Sequence, residues 1–329
     1  MKKLLLALMF LFIQILLFAQ ITTTRIERPQ EIPPSSYYDS LSNFLGEEVH
    51  LYVGQLLFAH GTSENLRKFG YSGFLLDYTK SSTSIKNTYK PMLPEREFQI
   101  RSDRGTGRSV YDSIAGKYFH VIDFHRHPQA EETAYLYGTK YFLQLIEVES
   151  KDTVFFEYDS KFEHAFPFIV SGFFIKQKEM LVGNEYVIRG RNWHSRDLPM
   201  KDIQTAKPVD FKVGSIWKAI DLTIDDVYYD LSIILENSAG ERVFISYNHA
   251  YRTNHWLFPA KEAANYSRKF GRENWLRILE GKVLIGFTEE MVLLSWGEPK
   301  RINRASYGDQ WIYDEQYLYF ENGKLKAFN

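Results

Sequence analysis

Three histidines in one short segment are the residues of this sequence best suited to chemistry: His120, His125 and His127. His125 and His127 are two residues apart, so both side chains lie on the same face if the segment is an extended strand. Two imidazoles on one face can bind a zinc ion, and Asp123 could add a carboxylate ligand. The segment is therefore a candidate metal site, and the alternative interpretation is a solvated loop that binds no metal.

A second copy of this segment favours the interpretation without a metal. Residues 116–124 match residues 214–222, but the second copy carries Lys218 and Asp221 and has no histidine. A zinc site normally needs three or four protein ligands. The sequence also has no HExxH motif, nucleophile elbow or Gly-Lys-Ser/Thr phosphate loop. We therefore expect no catalytic residue and no cofactor.

The chain has no cysteine and a nearly balanced charge. Its 329 residues include 40 basic and 41 acidic side chains. The lack of cysteine excludes disulfides, thiol catalysis and thiolate metal sites. A near-neutral chain gives no electrostatic argument for binding nucleic acid or anionic lipid, and we expect no nucleic-acid partner.

The first residues have the pattern of a secretory signal peptide. Lys2 and Lys3 precede an apolar run from Leu4 to Phe18, and a cut after Ala19 would release the chain. The run is shorter than the ~20 residues of a membrane-spanning helix, although an uncleaved anchor is the alternative interpretation. We expect residues 1–19 to be a signal peptide and residues 20–36, which contain three prolines, to be a linker.

Export places the protein in the periplasm, at the outer membrane or outside the cell. Because no cysteine follows the apolar run, the sequence predicts no lipid anchor. Charges interrupt every later apolar run, so we expect no transmembrane span in the mature chain. The expected partners are other envelope proteins.

The middle of the chain is internally duplicated. Three segments recur in the same order, namely 116–124 with 214–222, 141–145 with 229–233, and 154–158 with 243–247. Each unit is predicted to contain three antiparallel strands, because apolar and polar residues alternate in them. We assign modules to residues 108–170 and 171–257, and consider residues 37–107 a candidate diverged copy. A three-stranded meander is too small to be stable alone, so each unit either closes into a small barrel, with an SH3-like barrel as the expected topology, or packs on its neighbour.

Residues 258–329 have a different pattern, which predicts helices followed by a sheet. Thr288 is positioned to cap a short helix that ends before Gly297, and Asn322-Gly323 predicts a tight hairpin turn. This turn pairs Phe320 with Leu325 and Leu318 with Ala327. If Asp314-Glu315 also forms a two-residue turn, Trp311 joins the same apolar face. Tyr317 and Tyr319 then lie on the opposite face and are the candidate residues for partner binding.

Several motifs in this region resemble the SmpA/OmlA family of small outer-membrane proteins, which includes the BamE component of the outer-membrane barrel assembly machine. They are Gly286-x-Thr288, Val292, Gly297-x-Pro299, Trp311-x-Tyr313 and Tyr319-Phe320-x-Asn322-Gly323. The resemblance covers residues 273–329. It implies two helices packed on a three-stranded antiparallel sheet, and a scaffolding role in the envelope. Phe287 and Trp296 depart from the family pattern, as does the missing lipid-bearing cysteine.

The predicted fold class is therefore β-rich plus α+β, with tandem antiparallel modules followed by a two-helix, three-stranded C-terminal domain. The expected function is non-enzymatic binding or scaffolding in the cell envelope. One alternative is a secreted metal-dependent or glycan-directed enzyme that uses the loop with His120, His125 and His127. The other is a cell-wall-binding protein with SH3-like units.

Overall fold

A computed structural model describes residues 38, 41–82, 84–92, 107–190, 200–225, 231–253, 255–306 and 308–329. The predicted signal peptide (1–19) and linker (20–36) lie outside these residues. In the described part of the chain, no helix combines the length and the apolar character that a membrane crossing requires.

The described residues form a β-rich structure with four antiparallel sheets, none of which closes on itself. The strands are β1 (Leu56–Ala59), β2 (Tyr71–Ser72), β3 (Phe74–Leu75), β4 (Arg108–Ser109), β5 (Tyr118–Arg126), β6 (Lys140–Glu147), β7 (Thr153–Asp159), β8 (Phe168–Val170), β9 (Glu185–Ile188), β10 (Ile216–Ile224), β11 (Leu231–Glu236), β12 (Arg242–Ser246), β13 (Leu257–Pro259), β14 (Arg301–Ala305), β15 (Gly308–Ile312), β16 (Tyr317–Glu321) and β17 (Lys324–Phe328).

Six α-helices accompany the strands within the same described ranges. They are α1 (Glu64–Arg67), α2 (Ala130–Tyr137), α3 (Ser171–Leu181), α4 (Ala260–Phe270), α5 (Arg272–Leu279) and α6 (Glu289–Trp296). The chain divides into two compact units. The first unit contains the residues up to Met180 and, in addition, a short segment that begins at Leu222. The second unit contains Leu181–Asp221 and Leu231–Asn329.

The two large sheets share one strand order. The first runs β3-β7-β6-β5-β1-β8 and the second runs β12-β11-β10-β9-β13. Apart from β3, each strand of the first sheet has a counterpart at the same place in the second, and a helix of 11 residues follows the last strand in both cases. The duplication seen in the sequence therefore involves five strands rather than three.

Equivalent hydrogen bonds occur at equivalent glycines in the two sheets. Gly54 donates its N–H to the carbonyl of Val121 over 2.8 Å, and Gly183 donates to Ala219 over 2.8 Å. Both glycines have a positive φ, which residues other than glycine rarely adopt. The chain therefore enters β1 and β9 through the same backbone turn.

The structure corrects the predicted module boundaries. The segment 37–107 is not a separate module, because its strand β1 pairs with β5 and its strand β3 pairs with β7. The sheets are open, so the structure does not confirm the SH3-like barrels. The sequence did not reveal β1 and β8 because both are short, completely buried runs without polar alternation.

The C-terminal helix and its cap follow the prediction. The Thr288 hydroxyl accepts a hydrogen bond from the N–H of Met291 over 3.3 Å, and α6 ends at Trp296 before Gly297. The sheet that follows has four strands, in the order β14-β15-β16-β17, rather than the three that the resemblance implies. The additional strand, β14, is mostly polar and exposed, so no apolar alternation marked it.

The predicted hairpin register agrees with the structure near the turns and differs from it farther along the strands. Phe320 pairs with Leu325 and Trp311 pairs with Leu318, as predicted. A bulge between Tyr319 and Phe320 then shifts β17, so Leu318 pairs with Phe328 and Ala327 is exposed. An extra residue in one strand reverses which face the following side chains occupy.

The C-terminal domain shares its core with the second large sheet. Val187 of β9 is buried in the cluster that contains Trp275, Val292 and Leu318. Arg189, also buried, donates to the Leu294 carbonyl near the end of α6, where a cation is favoured by the helix dipole. Strand β13 crosses the predicted boundary at residue 258 and pairs with β9. Residues on both sides of the predicted boundary therefore belong to one compact unit, which contains Leu181–Asp221 and Leu231–Asn329.

Two glycines of the C-terminal sheet provide a matched test of this packing. A Cβ atom on Gly308 would lie 2.1 Å from the carbonyl oxygen of Phe320, whereas a Cβ atom on Gly323 meets nothing within 4 Å. We expect Gly308→Ala to lower the free energy of unfolding by about 3 kcal/mol, because β15 and β16 must separate. Gly323→Ala should cost about 1 kcal/mol, from its positive φ alone.

The measurement is urea unfolding followed by tryptophan fluorescence, since the tryptophans of the described residues all belong to the second unit. Equal losses of stability for the two variants would contradict the close approach at Gly308.

Candidate functional site

A bulge in β5 decides which side chains accompany the histidines. His120 pairs with Ile146 and Val121 with Leu145, but the next pair is Asp123 with Gln144. Ile122 is the extra residue and is 43% exposed. His120 and His125 are five residues apart, so a regular strand would place them on opposite faces. The bulge brings them onto one face, together with Asp123.

His125 is held in an aromatic stack on this face. Its ring lies 4.3 Å from the ring of Tyr78 with an interplanar angle of 3°, and Phe155 packs 5.0 Å from Tyr78 on the same side. The Nε2 atom of His125 lies 3.0 Å from Oε1 of Gln144. The ring is therefore positioned by neighbours that are not metal ligands.

His127 has a different set of contacts. Its ring stacks on Phe142 at 4.8 Å, and its Nδ1 atom accepts a hydrogen bond from the N–H of Gln129 over 3.0 Å. Burial lowers the pKa of His127, and the nearby carboxylate of Glu157 opposes this only in part. Burial also lowers the pKa of His120, with a smaller effect from Lys151. The neutral form of both imidazoles is therefore favoured in the folded protein.

Lys140 forms ion pairs with two carboxylates on this face. Lys140 Nζ lies 3.1 Å from Oε1 of Glu157 and 3.5 Å from Oδ1 of Asp159. Burial raises the pKa of Asp159 even though Lys140 acts against it. Burial alone would lower the pKa of Lys140, but the two carboxylates outweigh it and the pKa is raised. Across the described ranges, no three histidine, aspartate or glutamate side chains converge as a metal site.

The outer face of the C-terminal sheet is the second candidate site. Tyr317 and Tyr319 are 38% and 40% exposed, whereas the alternate residues Leu318 and Phe320 are buried. Trp311 packs on Phe320 with ring centroids 4.6 Å apart on the inner face. The inner packing therefore orients the two tyrosines outward.

A chain of side-chain hydrogen bonds crosses this outer face. Arg301 Nε donates to Oδ1 of Asn303 over 2.7 Å, and Nδ2 of Asn303 donates to Oε1 of Gln310 over 2.8 Å. Nε2 of Gln310 then donates to the Tyr319 hydroxyl over 3.1 Å. We call these four residues the polar ladder. The ladder spans β14, β15 and β16 and holds one of the two candidate tyrosines.

Sequence reasoning named the two tyrosines as candidates and did not name the other three residues of the polar ladder. Arg301 and Asn303 belong to the strand that was not predicted, and Gln310 reaches them only through strand pairing. A single apolar residue, Ile302, lies between Arg301 and Asn303, which is too short a pattern to predict a strand. An ordered face with aromatic rings and planar polar groups is suited to recognition of a protein surface.

Comparison of the chain with protein-family models, with curated proteins and with solved structures returns no match. The resemblance of residues 273–329 to the SmpA/OmlA family therefore stays a prediction.

The histidines of the first sheet should make its stability depend on pH. Because burial holds the pKa of His120 and His127 below the ordinary 6.5, the unfolded chain binds protons more readily. The contribution of these two histidines to the free energy of unfolding is present above the unfolded-state pKa of about 6.5. It is lost as the pH falls toward their folded-state pKa values. We expect His120→Asn/His127→Asn to reduce the loss of stability between pH 7.5 and pH 5.5.

Hydrogen exchange of the β5–β7 amides measures this loss at each pH. The control is His164→Asn, which removes an exposed histidine of the same unit outside this face. An unchanged pH dependence in the double variant would show that these two histidines do not cause it.

Proposed function

We propose that this chain is an exported, non-enzymatic cell-envelope protein that binds or scaffolds other envelope proteins. The observation that carries the proposal is the outer face of the C-terminal sheet, where Tyr317 and Tyr319 are exposed and Tyr319 is the last member of the polar ladder. This face is the surface through which we expect the protein contacts to be made.

Tyrosine is a favourable residue for such contacts. It buries a large ring at low entropic cost and keeps a hydroxyl for hydrogen bonding, and it is enriched among residues that dominate binding energy. The polar ladder supports the proposal because Gln310 already restrains the Tyr319 hydroxyl. A partner then loses less binding energy to the ordering of side chains.

The cellular location in the proposal comes from the sequence. The pattern of residues 1–19 is typical of export, and residues 273–329 resemble a family whose members are scaffolds in the outer membrane. Both point to the periplasm, the outer membrane or the exterior as the place of action.

The alternatives have weaker support. For a metal-dependent or glycan-directed enzyme, the rings of His125 and His127 are already engaged by Tyr78 and Phe142, and Lys140 engages the nearby carboxylates. For an SH3-like protein that binds the cell wall, the described sheets are open. We therefore propose neither.

Crosslinking of the full chain in its native cells, followed by identification of the captured proteins, tests the proposal. We expect Tyr317→Ala/Tyr319→Ala to lower the yield of the captured envelope protein about tenfold, which corresponds to the loss of one aromatic anchor. The matched control is Ile216→Ala, which removes an exposed apolar side chain from a strand of another sheet in the second unit.

The proposal is wrong if no envelope protein is enriched above background with the unmodified chain. It is also wrong in its choice of surface if the tyrosine variant and the Ile216→Ala variant capture the partner equally.

A further inference from the structure

Edge strands expose backbone groups that can pair with another chain, and proteins usually protect them. In the first sheet, the side chain of Asn43 protects β8. Its Nδ2 atom donates to the Phe168 carbonyl and its Oδ1 atom accepts from the Val170 N–H, both over 2.8 Å. One amide side chain therefore replaces a neighbouring strand.

Other edges are protected by equally local means. Strand β13 ends at Pro259, which has no N–H to offer. Strand β17 is hydrogen-bonded to the loop that precedes α6. The N–H of Leu325 donates to the Phe287 carbonyl, and the Leu325 carbonyl accepts from the N–H of Gly286, both over 2.8 Å. At the start of β12, the Arg242 carbonyl accepts a hydrogen bond from the N–H of Ile203 over 2.9 Å.

Strand β14 is different. All five of its residues pair with β15, from Arg301 opposite Ile312 to Ala305 opposite Gly308. Among the described residues, no backbone hydrogen bond joins Arg301–Ala305 to any other segment. The opposite edge of β14 is therefore an open row of backbone donors and acceptors.

We propose that this edge of β14 accepts an extended, acidic segment of a protein partner as a fifth strand of the C-terminal sheet. Strand addition is an established mode of peptide recognition, in which the backbone supplies affinity and the side chains supply specificity. The inference rests on the proposed binding function and assigns the chemistry of the partner.

The side chains of β14 indicate an acidic partner. Arg301 and Arg304 lie on the strand, and residues 300–305 contain no acid. Lys300, which precedes the strand, is paired with Asp314. Arg304 is 79% exposed, and its Nε atom lies 3.7 Å from Oδ2 of Asp309. Opposite charges directly across a strand pair are favourable, and like charges are unfavourable. A second copy of β14 offers no acidic side chain to either arginine, so the fitting occupant is a different, acidic chain.

The register predicts a pattern for that chain. Residues that face each other in a strand pair lie on the same side of the sheet. We expect an acidic residue opposite Arg301 and another opposite Arg304. Ile302 is half-buried and packs against the C-terminal core, so we expect an apolar residue opposite it. An antiparallel partner would therefore read acidic, any residue, apolar, acidic.

The first test selects peptides from a random dodecapeptide display library on the purified full chain. We expect enrichment of the predicted pattern, and synthetic peptides that carry it should bind Arg304→Glu about fivefold more weakly, since an attractive pair becomes repulsive. Arg304 lies outside the polar ladder. The control is Arg272→Glu, which makes the same change at an exposed helical position.

Hydrogen exchange of the full chain with the enriched peptide then locates the contact. We expect slower exchange for the amides of Arg301–Ala305, and a peptide N-methylated at alternate residues should not produce it. Enriched peptides that lack the acidic pattern, that bind both variants equally or that leave β14 unprotected would overturn the inference, as would no enrichment.

These outcomes are distinct from a failure of the proposed function. Capture of an envelope protein that is equal for Arg304→Glu and the unmodified chain, and lost in the Tyr317→Ala/Tyr319→Ala variant, removes the β14 inference alone. Binding of peptides at β14 without any capture in cells removes the proposed function alone.

Discussion

The fold depends on one short strand inserted between two others in each large sheet. Strand β1 pairs with both β5 and β8, and β9 pairs with both β10 and β13. These partners come from distant parts of the chain, so the insertion joins segments that would otherwise remain separate. Each sheet must therefore gain enough burial to offset the entropy of closing long loops.

The same insertion determines how far each unit extends. Because β9 carries Val187 into the C-terminal core and Arg189 to the end of α6, the second sheet and the C-terminal domain stabilise each other. A buried arginine retains its charge, so the carbonyl of Leu294 compensates part of the cost of removing it from water. An arrangement of this kind favours one compact unit over two domains joined by a linker.

Two kinds of surface emerge from the C-terminal sheet for different physical reasons. Its outer face is ordered because the inner face is tightly packed, so Tyr317 and Tyr319 have little freedom to turn inward. Its β14 edge is open because the described residues supply no neighbouring backbone there. A face recognises side chains and an edge recognises backbone, so a single partner could use both.

The sequence by itself determined the features that depend on neighbouring residues. Thr288 caps its helix, and the Asn322-Gly323 turn pairs Phe320 with Leu325, because capping and turn geometry are local. Only the tertiary structure decided that a bulge at Ile122 would bring His120 and His125 onto one face, and that β14 would complete the polar ladder. Bulges and strand neighbours follow from pairing between distant segments, and that pairing leaves no periodic signal in either segment alone.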